Sequence, residues 1–371
     1  MSEPPERATL SRRDAIGLAA LAGIGMASLV VADGTWSQLW AQMPSDRVTR
    51  DPQIPNWNTE LRQLAPNVFA YTQASGPGID NSSLSNTGVI VGDDMMAVDA
   101  LGPPVHAKAF IAAATKATGK PFGRVVNTHH HRDHTNGNCF FAPAEIVAHE
   151  FCRSEVIARG IPEHPYDSRP TWQEGMSELT LAPPTTTFTD KLTYHYRDTV
   201  VELIFNGPGH TWGDVMVYLP QHRILFAGDI AFWYVTPAGH NGHITKWIEA
   251  IDRIMTMDVE TIVPGHGPVG TKKELRETRA YLELMVREVR TRHAEGMSPG
   301  EAAADLDMGR FANWTNPERN VWNTVRLYAE FDGTLTPERD GIEGDPDGRQ
   351  FLGGTDRAME EYLEIRGRRG R

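Results

Sequence analysis

Between residues 128 and 134 the chain reads Thr-His-His-His-Arg-Asp-His, immediately after a strand expected over residues 124–127. Four groups that bind divalent cations, His129, His131, Asp133 and His134, therefore fall within six residues. On a loop this spacing aims His129 and His131 at one ion while Asp133 and His134 turn toward a second. Neutral imidazole and carboxylate are good ligands for Zn²⁺.

Three later segments have the same character: Gly207-Pro208-Gly209-His210-Thr211, Phe226-Ala227-Gly228-Asp229 and Val263-Pro264-Gly265-His266-Gly267. Each follows an apolar run. Glycine beside a ligand lets the backbone turn sharply and bring a short side chain to a crowded centre. A lone histidine is usually a satisfied structural residue, and most of the 14 histidines are read that way. A cluster followed by Gly-His, Gly-Asp and Gly-His-Gly loops in this order is not a chance pattern. His130 points away from its two neighbours and is expected beside the centre or exposed. His149 is read as structural, whereas His240 and His243 are candidates for the pocket lining.

In these ligand loops and in their order, over roughly residues 64–270, the chain resembles the metallo-β-lactamase superfamily. The resemblance implies an α/β fold, the αββα four-layer sandwich. It also implies two metals, with His129, His131 and His210 on the first, Asp133, His134 and His266 on the second, and Asp229 bridging. The expected cofactor is zinc, two ions per chain, with iron or manganese as alternatives. The expected chemistry is hydrolysis of an ester, thioester or lactone bond by a metal-bridging hydroxide. Asp133 is the candidate catalytic residue, orienting that hydroxide and passing a proton to the leaving group. No Gly-x-Ser-x-Gly elbow occurs in the sequence, so no serine nucleophile competes with this reading.

Asp229 also indicates a branch. True class B β-lactamases usually carry Cys or Ser there, whereas esterase, lactonase, thioesterase and glyoxalase-II-like members carry Asp, leaving β-lactamase activity a minor alternative. Trp314 through Tyr328 resembles C-terminal regions of members labelled as hydrolases or polyketide-type cyclases, so a non-hydrolytic cyclase or lyase acting on a secondary metabolite is a second reading. Iron-dependent sulfur oxidation is a third and a non-catalytic exported binder a fourth. Trp172, Trp212, Trp233 and Tyr234 flank the loops that frame the pocket and suit a bulky apolar small-molecule substrate, core packing being the alternative. A formal net charge of −12 argues against a nucleic-acid partner.

The chain of 371 residues, 40% hydrophobic, can build a sizeable core without disulfides; Cys139 and Cys152 are read as small apolar residues rather than a metal clip. Residues 1–45 form a leader: Ser11-Arg12-Arg13 precedes an apolar stretch from Ala15 to Val31. This resembles a twin-arginine signal peptide, with the twin-arginine export machinery as partner and the periplasm or the exterior as destination, membrane-tethered if uncleaved. Residues 46–270 are expected to form the catalytic domain and 271–371 a C-terminal helical extension and tail. Strands are expected over residues 67–72, 87–91, 95–99, 145–148, 192–196, 200–205, 215–219, 224–226 and 261–263. Helices are expected over 103–118, 151–159, 245–257, 272–293 and 316–330, with another starting at Ser298. Residues 160–187 and 333–355 read as loops, and Arg366, Arg368, Arg369 and Arg371 as a solvated tail. A reporter fused behind residues 1–45 is expected to leave the cytoplasm; its retention there, measured by fractionation, would remove the export reading.

Overall fold

A computed structural model describes residues 54–76, 84–161, 173–337 and 349–369. The leader, Trp172, the Gly- and Asp-rich stretch 338–348 and Arg371 lie outside the described residues. Strands β1 (Glu60–Ala65), β2 (Val68–Thr72), β3 (Thr87–Val91) and β4 (Met95–Val98) form an antiparallel meander. To it β5 (Phe122–Val126), β6 (Glu145–His149) and β7 (Thr186–Phe188) add in parallel, completing a seven-stranded sheet in chain order. Parallel neighbours need crossovers, and helices α1 (Pro104–Thr118) and α3 (Glu150–Arg159) lie in two of them. Between these helices α2 is a single turn, Arg132–Thr135.

The second sheet runs in the order β12-β11-β10-β9-β8. Strands β8 (Lys191–Tyr196), β9 (Thr199–Phe205), β10 (Val215–Leu219) and β11 (Ile224–Phe232) are antiparallel. Strand β12 (Thr261–His266) returns parallel to β11 after helix α4 (Ile244–Thr256). Helices α5 (Lys272–Ala294), α6 (Pro299–Asp305), α7 (Arg319–Phe331) and α8 (Arg349–Arg369) follow.

Apolar side chains assemble these elements into layers. Ile90, Met96 and Val126 of the first sheet meet Val201, Leu203, Val217 and Phe226 of the second. The other face of the first sheet, through Val89, Met95 and Val125, packs on Ala107, Phe110 and Ala114 of α1. The outer face of the second sheet takes Trp247, Ile251 and Ile254 of α4 with Leu282 and Met285 of α5. The result is the αββα sandwich, with α6, α7 and α8 joined in a further apolar cluster around Val321, Trp322 and Met359.

The structure departs from the sequence reading where local signals are weak. Strand β1, Glu-Leu-Arg-Gln-Leu-Ala, is a largely exposed edge strand without an apolar run to mark it. Within the expected loop 160–187, Thr186 begins β7. The expected loop 333–355 is overturned at its end, because Arg349 already opens α8, and Arg366 and Arg368 ride on that helix rather than on a tail. Helix α7 starts at Arg319, three residues later than expected, because Asn316 takes a left-handed φ of 58° and Pro317 follows it. Strand β11 continues to Phe232, so Asp229 lies within a strand and not on a loop after one. Its register against β12 shifts between Phe226 and Gly228 and again before Phe232. Such breaks in the ladder re-aim side chains.

Phe226 is 2% exposed between the sheets. Its replacement by Ala is expected to cost about 3–5 kcal/mol of unfolding free energy, measured by denaturant titration.

Candidate metal centre

The candidate ligands arrive from the ends of several strands. After β5 the backbone delivers His129 and His131, then enters the α2 turn, which carries Asp133 and His134. His210 comes from the turn between β9 and β10, Asp229 from the middle of β11 and His266 from the last residue of β12. Two groups of ligand atoms form: His129, His131, His210 and Asp229 in one, Asp133, His134 and His266 in the other, each with its atoms within 4.8 Å of one another. Asp229 touches both groups. Its Oδ2 lies 3.1 Å from His210 Nε2 and 3.4 Å from His266 Nε2, and its Oδ1 lies 3.1 Å from His134 Nε2. Asp133 Oδ2 stands 3.2 Å from His266 Nε2 and 3.5 Å from His134 Nε2.

The rings of His129, His131 and His134 each have one nitrogen tied outward and the other turned in. His134 Nδ1 meets Asp99 Oδ2 at 2.8 Å, and His129 Nδ1 meets Thr128 Oγ1 at 3.1 Å. His131 Nε2 donates to Asn241 Oδ1 at 2.9 Å, which leaves Nδ1 facing His210 Nε2 at 2.8 Å. Outward partners of this kind set the tautomer and orientation of metal-binding histidines. The inward atoms of His129 (Nε2), His134 (Nε2) and Asp229 (Oδ1) are buried without a hydrogen bond, although His134 Nε2 and Asp229 Oδ1 are close. Lone pairs that converge without pairing fit a divalent cation between them. Gly265 makes room for Asp229, since a Cβ there would stand 1.7 Å from Oδ1.

The electrostatics agree. Burial holds His129, His131 and His210 below the usual imidazole range, in the neutral form that ligates. Burial works against charge on His134 and His266 too, but Asp229 and Asp133 outweigh it and raise both. The same histidines hold Asp133 and Asp229 below the ordinary carboxylate range despite their burial. The positive charge that the two carboxylates draw to His134 and His266 is charge that a divalent cation would supply.

The remaining candidates separate. His130 is buried, edge-on to Phe151, so of the two positions expected for it the exposed one is out. His149 Nδ1 accepts from Phe151 N at the start of α3 and Nε2 reaches Thr189 O, a structural role. His240 stacks on His131 at 5.0 Å, whereas His243 precedes α4 and meets Thr245 Oγ1. Trp233 is core, donating to Pro268 O; Trp212 faces His243 and Lys246; Tyr234 tilts against Trp57. Cys139 and Cys152 are both free thiols. A cleft of about 320 Å³, including its open mouth, adjoins the histidine loop through His130, Arg132 and Asn136.

Two residues escaped the sequence reading. Asp99 follows β4 with φ 69° and accepts from Thr128 N and Thr128 Oγ1 besides meeting His134. A carboxylate closing an apolar strand was its one signal. Asn241 had none, because only the fold sets it against His131.

Residues 83–266 match the family model described as Metallo-beta-lactamase superfamily. Among curated proteins the chain is similar to the 2,4-dinitroanisole O-demethylase subunit alpha of Nocardioides sp., 30% identical over 190 residues that cover 49% of this chain and 50% of that protein. It is also similar to the linear primary-alkylsulfatase of Pseudomonas sp., 24% identical over 282 residues covering 64% and 52% of the two chains. The chain thus spans about half the length of these relatives. Among solved structures it is similar to a metallo-beta-lactamase from Pontibacter korlensis, at 20% identity and a TM-score of 0.49, covering 61% of this chain and 99% of that one.

Asp99→Asn keeps the shape and removes the charge behind His134. Zinc affinity, read by competition with a chromogenic chelator, is expected to fall about 10–100-fold; an unchanged affinity would leave Asp99 a purely structural residue.

Proposed function

We propose, on the match of residues 83–266 to the metallo-β-lactamase superfamily model, that the protein is an exported dinuclear zinc hydrolase acting on an ester, thioester or lactone bond. The observation that carries this reading is the pair of ligand groups sharing Asp229, with three neutral histidines in one and Asp133 with two further histidines in the other. His129, His131 and His210 would hold one ion, Asp133, His134 and His266 the other, and Asp229 both. When bound, the metals supply an activated water at neutral pH and a Lewis acid for the scissile bond.

The protein's own part is positioning and proton transfer. Asp133 stays a carboxylate because His134 and His266 outweigh its burial. From that position it orients the attacking water, accepts its proton and returns it to the leaving oxygen or sulfur. No serine, threonine or cysteine stands among the seven groups, which agrees with water as the attacking nucleophile. Asp229, where the lactam-cleaving branch usually carries Cys or Ser, supports the ester side of the superfamily. The demethylase and sulfatase relatives widen the range of oxygen leaving groups worth testing.

Purified protein is expected to hold about two zinc ions per chain and to turn over an aryl ester, a thioester or a lactone in preference to a β-lactam. A primary alkyl sulfate and an aryl methyl ether complete the substrate panel. Chelation should abolish turnover, and Asp133→Asn should cost about 10²–10⁴-fold in rate if its main loss is proton transfer. About one iron per chain with no hydrolysis would overturn the proposal and point to sulfur oxidation instead.

A further inference from the structure

Helix α7 presents Arg319, Asn323, Arg326 and Glu330 on one face, at the 4-3-4 spacing of a helical stripe. Such a stripe is ordinarily apolar where it is buried. Here Arg319, Asn323 and Arg326 are buried, and the Glu330 side chain is 3% exposed. Each of the four bonds the segment 236–245, and Asn323 Nδ2 also donates to Tyr281 Oη. Arg319 Nη1 donates to Thr236 O, and Asn323 Nδ2 donates to Pro237 O while its Oδ1 accepts from Gly239 N at 2.7 Å. Arg326 Nε donates to Gly242 O at 2.6 Å, and Glu330 accepts from Ile244 N, Thr245 N and Thr245 Oγ1.

That segment ends against the candidate centre. Its Asn241 is the acceptor for His131 Nε2, and its His240 lies between His131, stacked at 5.0 Å with an interplanar angle of 10°, and Trp322 of α7 at 5.4 Å. His243 N donates to Gly209 O beside His210. Gly242 packs so closely there that a Cβ would stand 2.7 Å from Gly209 O. The backbone of this irregular segment is bonded largely to side chains of a helix more than 70 residues further along the chain.

We propose that α7 is the positioning element of the first ligand group: Arg319, Asn323, Arg326 and Glu330 hold segment 236–245 so that Asn241 and His240 fix the tautomer and plane of His131. The inference rests on the proposed metal centre for its purpose, and on the geometry of His131 for its content. The four act on His131 through the segment 236–245 and are positioning residues. A buried polar network can place a backbone segment where apolar packing would leave it free to slide, because each bond must be remade in register.

The test uses the full chain labelled with ¹⁵N-histidine. In the metal-free protein, long-range proton–nitrogen spectra are expected to show His131 protonated on Nε2 alone. Asn323→Ala and Glu330→Ala should shift or broaden that signal and weaken zinc binding by about 10–100-fold. Asn241→Asp, which keeps the acceptor oxygen, should retain it, and Asn241→Leu should not. Tyr328→Ala is the stability control: that side chain bonds Met297 O and packs on His293, away from segment 236–245. It should lower Tm without altering His131. Wild-type His131 spectra in Asn323→Ala and Glu330→Ala, or an equal change in Tyr328→Ala, would overturn the proposal. If the His131 changes follow the prediction while the wild type takes up no metal, the positioning role stands and the metal reading falls.

Discussion

The centre depends on bringing two carboxylates and five imidazoles into one water-poor space. Burying a carboxylate without compensation costs several kcal/mol, and Asp133 and Asp229 are both buried. The compensation is built from histidines, whose inward nitrogens surround Asp229 at 3.1–3.7 Å. It also depends on an outer ring of groups, Asp99, Thr128 and Asn241, that fixes which nitrogen of three rings is turned inward. The sandwich exists, in this sense, to hold strand ends at a common rim.

That need accounts for irregularities that otherwise look like defects. The pairing of β11 with β12 breaks twice within the stretch that bears Asp229, and Gly265 lies opposite where any larger residue would meet the carboxylate. Asp99 sits at a positive φ immediately after a regular strand. In each place a regular ladder would point the side chain into an apolar layer, and the departure turns it toward the ligands instead.

The C-terminal helices have a double part in this. Helix α5 covers the second sheet through Tyr281, Leu282 and Met285, as an outer layer of the sandwich should. Helix α7 joins the apolar cluster with α6 and α8 through Val321, Trp322 and Val325, yet gives a second face of four polar residues to segment 236–245. The support of the first ligand group is therefore spread over parts of the chain far apart in sequence.

How much of this was legible follows from the range of each interaction. That His129, His131, Asp133, His134, His210, Asp229 and His266 would gather was legible from residue type and spacing, and the segments that deliver them carry apolar runs and glycines as local marks. The αββα architecture was readable for a related reason: long apolar strands alternating with capped helices leave few ways to bury both faces. The edge strand β1, the short β7 and the start of α8 carry weak local signals, and they form where neighbouring elements offer a place to pair or pack. Asp99 and Asn241 serve a histidine fixed by another segment, and nothing within a few residues of either states that purpose. The sequence by itself determined which side chains would gather and in what layered frame. Only the tertiary structure decided which nitrogen of His129, His131 and His134 faces inward and which distant helix bonds the segment beside His131, because hydrogen-bond geometry between remote segments exists only once the chain has packed.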